Sequence, residues 1–176
     1  MSFNEDNNMP SITRTFTRLL IKDVMNPDPV IIYDDEDLSR AQELFVEKKV
    51  FYLLVVNRSR KLLGVLTQKY LYKIRSPRRI IDENMNFSKT ILRDGDSFYE
   101  RETLDGYILS NIMFKKPFTM ESSQTVAEAI LHVSQKNLGC IPIVKKNGEL
   151  TGVLTTKDIM DYTAGVIVNS DIFAGE

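Results

Sequence analysis

The sequence has very few of the residues that form covalent cross-links or carry metal and acid–base chemistry. Among 176 residues there are one cysteine, one histidine and no tryptophan. The single cysteine, Cys140, excludes an internal disulfide and indicates a reducing compartment. The single histidine, His132, has no ligand-type residue at metal-binding spacing, so we expect a solvated side chain there. No Walker or dinucleotide-binding glycine-rich loop is present. We therefore predict no enzyme activity, no metal and no cofactor.

Charge of one sign and long apolar runs are also missing. Lys and Arg number 23 against 24 Asp and Glu, which leaves a net charge of −1. This balance argues against nucleic acid and anionic membranes as partners. No apolar run approaches the ~20 residues that span a bilayer. Residues 1–10 are polar and acidic, without the pattern of a signal peptide. These absences predict a soluble, cytoplasmic protein.

What the sequence does contain is an internal repeat with a shift of 88 residues. Residues 21–71 align with residues 109–159 without a gap, and Gly-Val-Leu-Thr occurs at 64–67 and again at 152–155. Each copy has the pattern strand, helix, strand, strand, helix, which predicts an α+β fold built from two β-α-β-β-α repeats. In the first copy the predicted elements are a strand at 30–32, a helix with Leu38, Ala41 and Phe45 on its apolar face, strands at 51–56 and 61–66, and a helix from 67 to about 73.

The repeat divides the chain into four parts. We predict a flexible tail at 1–14, a first repeat at 15–74, a structured connector at 75–105, and a second repeat with a C-terminal tail at 106–176. The connector is expected to be ordered because it contains many apolar residues and two helix-start signals, at Ser76 and Ser97.

Two polar motifs allow both a structural and a functional interpretation. The run Asp34–Asp37 could bind a hard cation, but acids at a helix start more often cap free backbone N–H groups, and we favour capping. Thr155 and Asp158 have the spacing of a capping box after the strand that ends the second copy. The same carboxylate could accept hydrogen bonds from two hydroxyl groups of a ribose.

Together these features resemble the CBS domain, named for cystathionine β-synthase, in the tandem arrangement called a Bateman module. The resemblance rests on Asp23-Val24-Met25 and Asn111-Ile112-Met113 before each first strand, on Ile141-Pro142-Ile143-Val144, and on Gly152, Thr155 and Asp158 of the Gly-x-x-Thr-x-x-Asp motif. It covers roughly residues 15–162. It implies two repeats packed with pseudo-two-fold symmetry and two clefts that bind adenosine-containing ligands.

The resemblance also implies which residues form those clefts. The better cleft is expected to contain the motif acid, which holds the ribose in this family. Its implied residues are Val30, Ile31, Phe51, Tyr52, Leu54, Thr155, Lys157 and Asp158. The implied residues of the second, weaker cleft are Thr67, Lys69, Phe118, Thr119, Gly139, Cys140 and Pro142.

This sequence departs from the family pattern at two positions. Tyr70 stands where the second cleft needs the ribose acid, and Leu54 stands where the family usually has proline. Two unequal sites are therefore expected. Cys140 is interpreted as a buried small hydrophobe rather than a reactive thiol.

The sequence thus predicts a ligand-sensing regulatory module rather than an enzyme. An adenosine ligand such as AMP, ADP, ATP or S-adenosylmethionine would shift the conformation and signal to a separate, unknown partner protein. The family resemblance also implies a homodimer. The alternative is a ligand-free scaffold for dimerisation or docking, in which Asp158 serves only as a cap.

Overall fold

The computed structural model describes residues 16–69 and 109–169. The predicted tail at 1–14, the connector at 75–105, Tyr70 and the last residues of the chain lie outside this part. A 3₁₀ turn at Ile21–Asp23 precedes the first strand. The strands are β1 (Ile31–Tyr33), β2 (Tyr52–Val56), β3 (Leu62–Thr67), β4 (Phe114–Lys115), β5 (Cys140–Val144) and β6 (Leu150–Thr155). The helices are α1 (Leu38–Lys48), α2 (Leu109–Ile112), α3 (Val126–Lys136) and α4 (Thr156–Asn169).

The described residues form two compact units that do not follow the two sequence repeats. The first-repeat unit contains residues 30–55, 64–69 and 109–115, and the second-repeat unit contains 16–29, 56–63 and 116–169. Strands β1 to β4 form one sheet in that order, and β5 pairs antiparallel with β6 in the other. The mixed α+β class predicted from the repeats is confirmed.

Each unit takes the opening segment of the other repeat. Asn26, from the first repeat, forms an antiparallel bridge with Val153 on β6, whereas β4, from the second repeat, pairs with β3. The two hydrophobic cores show the same exchange. Ile21 is fully buried in the core of the second-repeat unit, and Leu109, its repeat equivalent, is fully buried in the core of the first-repeat unit.

Close backbone approach at two glycines makes this exchange possible. A Cβ atom on Gly64 would lie 2.6 Å from Met113 Sδ and 2.9 Å from the carbonyl oxygen of Phe114. A Cβ atom on Gly152 would lie 2.8 Å from the carbonyl oxygen of Asn26. Only a residue without a side chain allows the opening segment to pair at this distance.

Polar side chains at equivalent positions begin the first helix of each repeat. Asp37 Oδ1 accepts a hydrogen bond of 2.8 Å from the Arg40 N–H at the start of α1. Thr125 and Glu128 form a reciprocal capping box at the start of α3. The Tyr33 N–H also donates to Glu36 at 2.8 Å. The capping interpretation of the acidic run is therefore confirmed for Asp37, whereas Glu36 accepts from the last residue of β1 and not from the helix.

Two strand predictions need correction. The apolar run predicted as a buried strand at 51–56 forms a strand only from Tyr52, and the Phe51 side chain is 68% exposed. In the second repeat, the expected first strand is reduced to a single parallel bridge between Met120 and Ile143. Among the described residues, no helix is long and apolar enough to cross a membrane.

Candidate functional site

The most complete polar site predicted from the sequence lies where β6 ends and α4 begins. The Thr155 N–H and the Thr155 hydroxyl both donate to Asp158 Oδ2, at 2.7 and 2.6 Å. In return, the Asp158 N–H donates to Thr155 Oγ1 at 3.2 Å. These three bonds stop the strand and start the helix, so the capping box predicted from the spacing is confirmed.

The same bonds orient the Asp158 carboxylate. Its Oδ2 atom accepts both Thr155 donors, and within residues 16–69 and 109–169 no hydrogen bond is assigned to Oδ1. The side chain is half-buried and lies in the first turn of α4, where the helix dipole favours a negative charge. The arrangement leaves one carboxylate oxygen able to accept hydrogen bonds from a ligand.

Lys157, the other charged residue predicted for this site, is directed along the helix surface. Its side chain is 79% exposed and forms an ion pair with Asp161, one turn further along α4. The hydrogen bond from Lys157 to Asp161 raises the pKa of the lysine ammonium group above its ordinary value. Lys157 would have to leave Asp161 before it could contact an anionic ligand. The i, i+4 spacing of the two residues was a sequence signal for this pair.

The first repeat makes an equivalent backbone hydrogen bond directly after its last strand. The Gln68 N–H donates to the carbonyl of Phe51 at 3.1 Å, just as the Thr156 N–H donates to the carbonyl of Gly139 at 3.2 Å. Thr67, like Thr155, ends its strand and is half-buried, and Lys69 is exposed. Tyr70, on which the predicted inequality of the two sites depends, lies outside the described residues.

Phe118, predicted for the weaker site, packs toward helix α3. Its ring lies 4.4 Å from the His132 ring, and Lys136 Nζ lies 5.3 Å from its centroid. The ring also packs against the core of the second-repeat unit. The Phe118 side chain is therefore already engaged within its own unit.

The expectation that His132 is solvated is met only in part, because the residue as a whole is half-buried. The Nδ1 atom is shielded from solvent and has no hydrogen-bond partner among the described residues, because the ring packs on Phe118. The repeat alignment contained the signal, since the equivalent residue in the first copy is Leu44, which is buried in the core. Among the described residues, no group of three or more His, Cys, Asp or Glu side chains could hold a metal ion.

Cys140, at the start of β5, is partly buried. Burial raises the pKa of its thiol to about 12, so the thiol is protonated at neutral pH. A protonated thiol is a weak nucleophile, which agrees with the interpretation as a small hydrophobe. The neighbouring Pro142, also predicted for the weaker site, is buried and accepts a hydrogen bond of 3.3 Å from the Met120 N–H.

The remaining residues predicted for the better site lie in the first-repeat unit, and Thr119 of the weaker site lies in the second-repeat unit. Val30 and Leu54 are brought together by a hydrogen bond of 3.1 Å from the Leu54 N–H to the Val30 carbonyl. Leu54 is 1% exposed, whereas Ile31 and Tyr52 are half-buried. Because side chains alternate along a strand, Leu54 faces away from the core that contains Leu53 and Val55.

A family model described as CBS domain matches residues 21–76 and 109–165, which together are more than half of the chain. A CBS domain-containing protein of Dictyostelium discoideum is 26% identical over 85% of this chain and 94% of its own length. A homoserine O-acetyltransferase of Methanococcus vannielii is 22% identical over 84% of this chain. The chain spans only 25% of that enzyme.

The solved structures that resemble the fold include two with bound ligands. One is CBSX2 in complex with AMP, a name also carried by a chloroplastic protein of Arabidopsis thaliana, with a TM-score of 0.64 and 20% identity over 84% of this chain and 98% of that one. The other is the CBS domain pair of protein MJ0100 in complex with 5′-methylthioadenosine and S-adenosyl-L-methionine. Its TM-score is 0.63, with 17% identity over 84% of this chain and 97% of that one.

Proposed function

The chain belongs to the CBS domain family, and we propose that it is a regulatory module that binds an adenosine-containing ligand. The ligand would be of the AMP, ADP, ATP or S-adenosylmethionine type, and its binding would shift the conformation and so signal to a partner protein. A regulatory role agrees with the enzyme relative named above, because the matched region is only a quarter of that enzyme. We further propose that the protein is cytoplasmic and forms a homodimer.

The observation that carries this proposal is the geometry of the Asp158 carboxylate. Thr155 holds one carboxylate oxygen through two short hydrogen bonds, which fixes the plane of the group at the start of α4. Fixing the acceptor before the ligand arrives reduces the entropy lost on binding. A ribose offers two neighbouring hydroxyl donors, and each charge-assisted hydrogen bond contributes roughly 1.5–3 kcal/mol.

The ligands of the two solved structures support the chemical class. AMP, 5′-methylthioadenosine and S-adenosyl-L-methionine have different groups at the 5′ position but share adenosine with both ribose hydroxyls. We propose that the two sets of residues implied by the family resemblance are this chain's sites. The better site would contain Val30, Ile31, Phe51, Tyr52, Leu54, Thr155, Lys157 and Asp158. The weaker site would contain Thr67, Lys69, Phe118, Thr119, Gly139, Cys140 and Pro142, with Phe118 contributing backbone atoms.

Replacing the carboxylate tests the role of Asp158. In Asp158→Ala, the affinity for the best ligand in a panel of adenine nucleotides, 5′-methylthioadenosine and S-adenosylmethionine should fall about ten- to a hundredfold, or ~1.4–2.8 kcal/mol. Loss of the cap should also lower the free energy of unfolding by about 0.5–2 kcal/mol. Isothermal titration calorimetry measures the first quantity, and chemical denaturation measures the second.

Glu128→Ala provides a matched control. Glu128 occupies the same position in the capping box of α3, where its carboxylate accepts the Thr125 N–H at 2.9 Å, but it is not among the proposed ligand residues. It should lower stability within the same range and leave ligand affinity unchanged. If the two variants behave alike in affinity, or if no adenosine compound binds the parent protein, the ligand-sensing proposal fails.

The second candidate function is a ligand-free scaffold for dimerisation or docking. It is favoured by the capping bonds themselves, since they give Asp158 a complete structural role without any ligand. A scaffold predicts that Asp158→Ala loses stability alone. The two functions therefore predict different effects of Asp158→Ala on ligand affinity and the same effect on stability.

A further inference from the structure

Two equivalent turns lie side by side in the second-repeat unit. The turn after β2, residues 57–60, is closed by the Arg60 N–H donating to the Asn57 carbonyl at 2.9 Å. The turn after β5, residues 145–148, is closed by Gly148 N–H and the Lys145 carbonyl at 2.8 Å. The turns are joined by two reciprocal bonds, Leu62 N–H to Gly148 carbonyl at 3.1 Å and Leu150 N–H to Arg60 carbonyl at 3.0 Å.

The paired turns concentrate positive charge. Residues 57–61 and 145–149 contain five basic side chains and one acidic side chain, a net formal charge of +4 on a chain whose total is −1. The acid is Glu149, and Lys145 Nζ lies 2.8 Å from its Oε1 atom. A local excess of this size attracts anions although the whole protein is nearly neutral.

A cavity of about 380 Å³ adjoins this basic surface. Its volume lies at the lower end of the range for small-molecule sites, roughly 300–1,000 Å³. Lys145, Lys146 and Gly148 of the second turn line it together with Thr119, Glu121 and Gln124. The lining of the cavity thus combines two cations with hydroxyl, carboxylate and amide groups.

The cavity is separate from the start of α4. It adjoins Val144, at the end of β5, whereas Cys140 and Thr155 pair at the beginning of that strand. Four residues of extended strand span about 13 Å. Thr119 is the only residue that the cavity shares with the two proposed adenosine sites.

We propose that this cavity binds a small phosphate ester with free hydroxyl groups, such as a sugar phosphate. The phosphate would pair with Lys146 and with Lys145, which would exchange Glu149 for the ligand. The hydroxyl groups would donate to Glu121 and accept from Gln124, whose Oε1 atom is already occupied by the Glu121 N–H at 2.9 Å. The acidic wall explains the need for hydroxyl groups, because a bare anion would meet Glu121 without a donor.

The test measures the binding of glucose 6-phosphate by calorimetry at low ionic strength. Glucose and inorganic phosphate are titrated separately under the same conditions. The ester should bind more tightly than either arm, and added salt should weaken it. Lys146→Gln should weaken binding about two- to fivefold, as expected for an exposed charge pair. Glu149→Gln should strengthen binding by a similar factor, because it releases Lys145 from its partner.

Lys48→Gln is the control, because Lys48 pairs with Glu47 at the end of α1 and does not line the cavity. It removes the same charge and should leave glucose 6-phosphate binding unchanged. Excess 5′-methylthioadenosine, which has no phosphate, should not displace the ester. Absence of binding, equal binding of inorganic phosphate, no response to Lys146→Gln and Glu149→Gln, or displacement by the nucleoside would each overturn the proposal. None of these outcomes depends on whether Asp158 binds adenosine.

Discussion

The first strand of the first repeat is a full member of its sheet, whereas the equivalent segment of the second repeat makes one bridge. In the first repeat, the Leu54 N–H donates to the Val30 carbonyl at 3.1 Å and β1 follows. The equivalent of Leu54 is Pro142, which has no N–H to donate to the carbonyl of Phe118. The two segments share their sequence pattern. We therefore attribute the difference between a strand and an isolated bridge to this one missing hydrogen-bond donor.

Exchanging the residues at this position tests that explanation and should give the largest effect. Leu54→Pro removes the N–H that Val30 accepts and also removes a side chain that is 1% exposed. We expect the free energy of unfolding to fall by about 3 kcal/mol, measured by chemical denaturation.

The reverse exchange, Pro142→Leu, adds a donor opposite the Phe118 carbonyl. It should change stability by less than about 1 kcal/mol, because lost proline rigidity offsets the gained bond. Slow hydrogen exchange of the new amide at position 142 would show that it found this acceptor. If both variants destabilise equally, side-chain packing and not the missing donor accounts for the difference between the repeats.

Substituting the glycines that contact the exchanged opening segments should give the next largest loss of stability. The loss should be similar in the two repeats. Gly64→Ala and Gly152→Ala each place a Cβ atom within 3 Å of a carbonyl oxygen, of Phe114 and Asn26 respectively. Overpacking of this kind costs about 1–3 kcal/mol of stability. Thermal and chemical unfolding of the two variants should give similar losses.

Gly165→Ala is the control for these substitutions. Gly165 lies within α4, and no described residue beyond its own stretch of helix comes within 4 Å of the added Cβ, so alanine should stabilise the helix by about 0.5–1 kcal/mol. A clear difference between Gly64→Ala and Gly152→Ala would mean that the two opening segments are not held equally.

The last comparison concerns Cys140, whose repeat equivalent is Tyr52. Burial raises the thiol pKa from 9.0 to about 12, so the unfolded chain releases this proton at lower pH than the folded protein. The contribution of the thiol to stability is complete below pH 9 and is lost as the pH rises toward 12. The stability difference between the parent protein and Cys140→Ala should decline across that window.

Alkylation provides a second measurement of the same group. Iodoacetamide should modify Cys140 much more slowly in folded than in unfolded protein at pH 8, because the thiolate is the reactive form. Equal rates would contradict the burial of the thiol.

Local features could be predicted from the sequence because their causes are local. At Asp37 and at Thr155, the capping side chain accepts a hydrogen bond from the backbone N–H three residues later in the chain. The α+β order followed from apolar periodicity and was strengthened by its recurrence after 88 residues. The residues of the candidate site were predicted from a family resemblance. The structure confirms one part of that prediction, which is the set of capping hydrogen bonds between Thr155 and Asp158.

Long-range features could not be predicted in the same way. The sequence around Ile21 does not indicate that this residue packs in the core of the second-repeat unit. The core in which it packs depends on which sheet has an open edge. The Phe118 ring turns toward His132 and Lys136 because their helix lies beside it, and a periodicity of 3.6 residues does not identify that neighbour. The basic surface needs two turns that are 88 residues apart in the chain.

The exchange of opening segments has a consequence for a single repeat on its own. A single repeat cannot pair its own opening segment with its own last strand in this arrangement, so its sheet edge would stay open. Two separate copies could close both edges by reciprocal donation, as a domain-swapped dimer. Fusing the copies into one chain makes that donation intramolecular and independent of protein concentration. The duplicated chain thus carries, in one polypeptide, both opening segments that two single repeats would have to exchange as a pair.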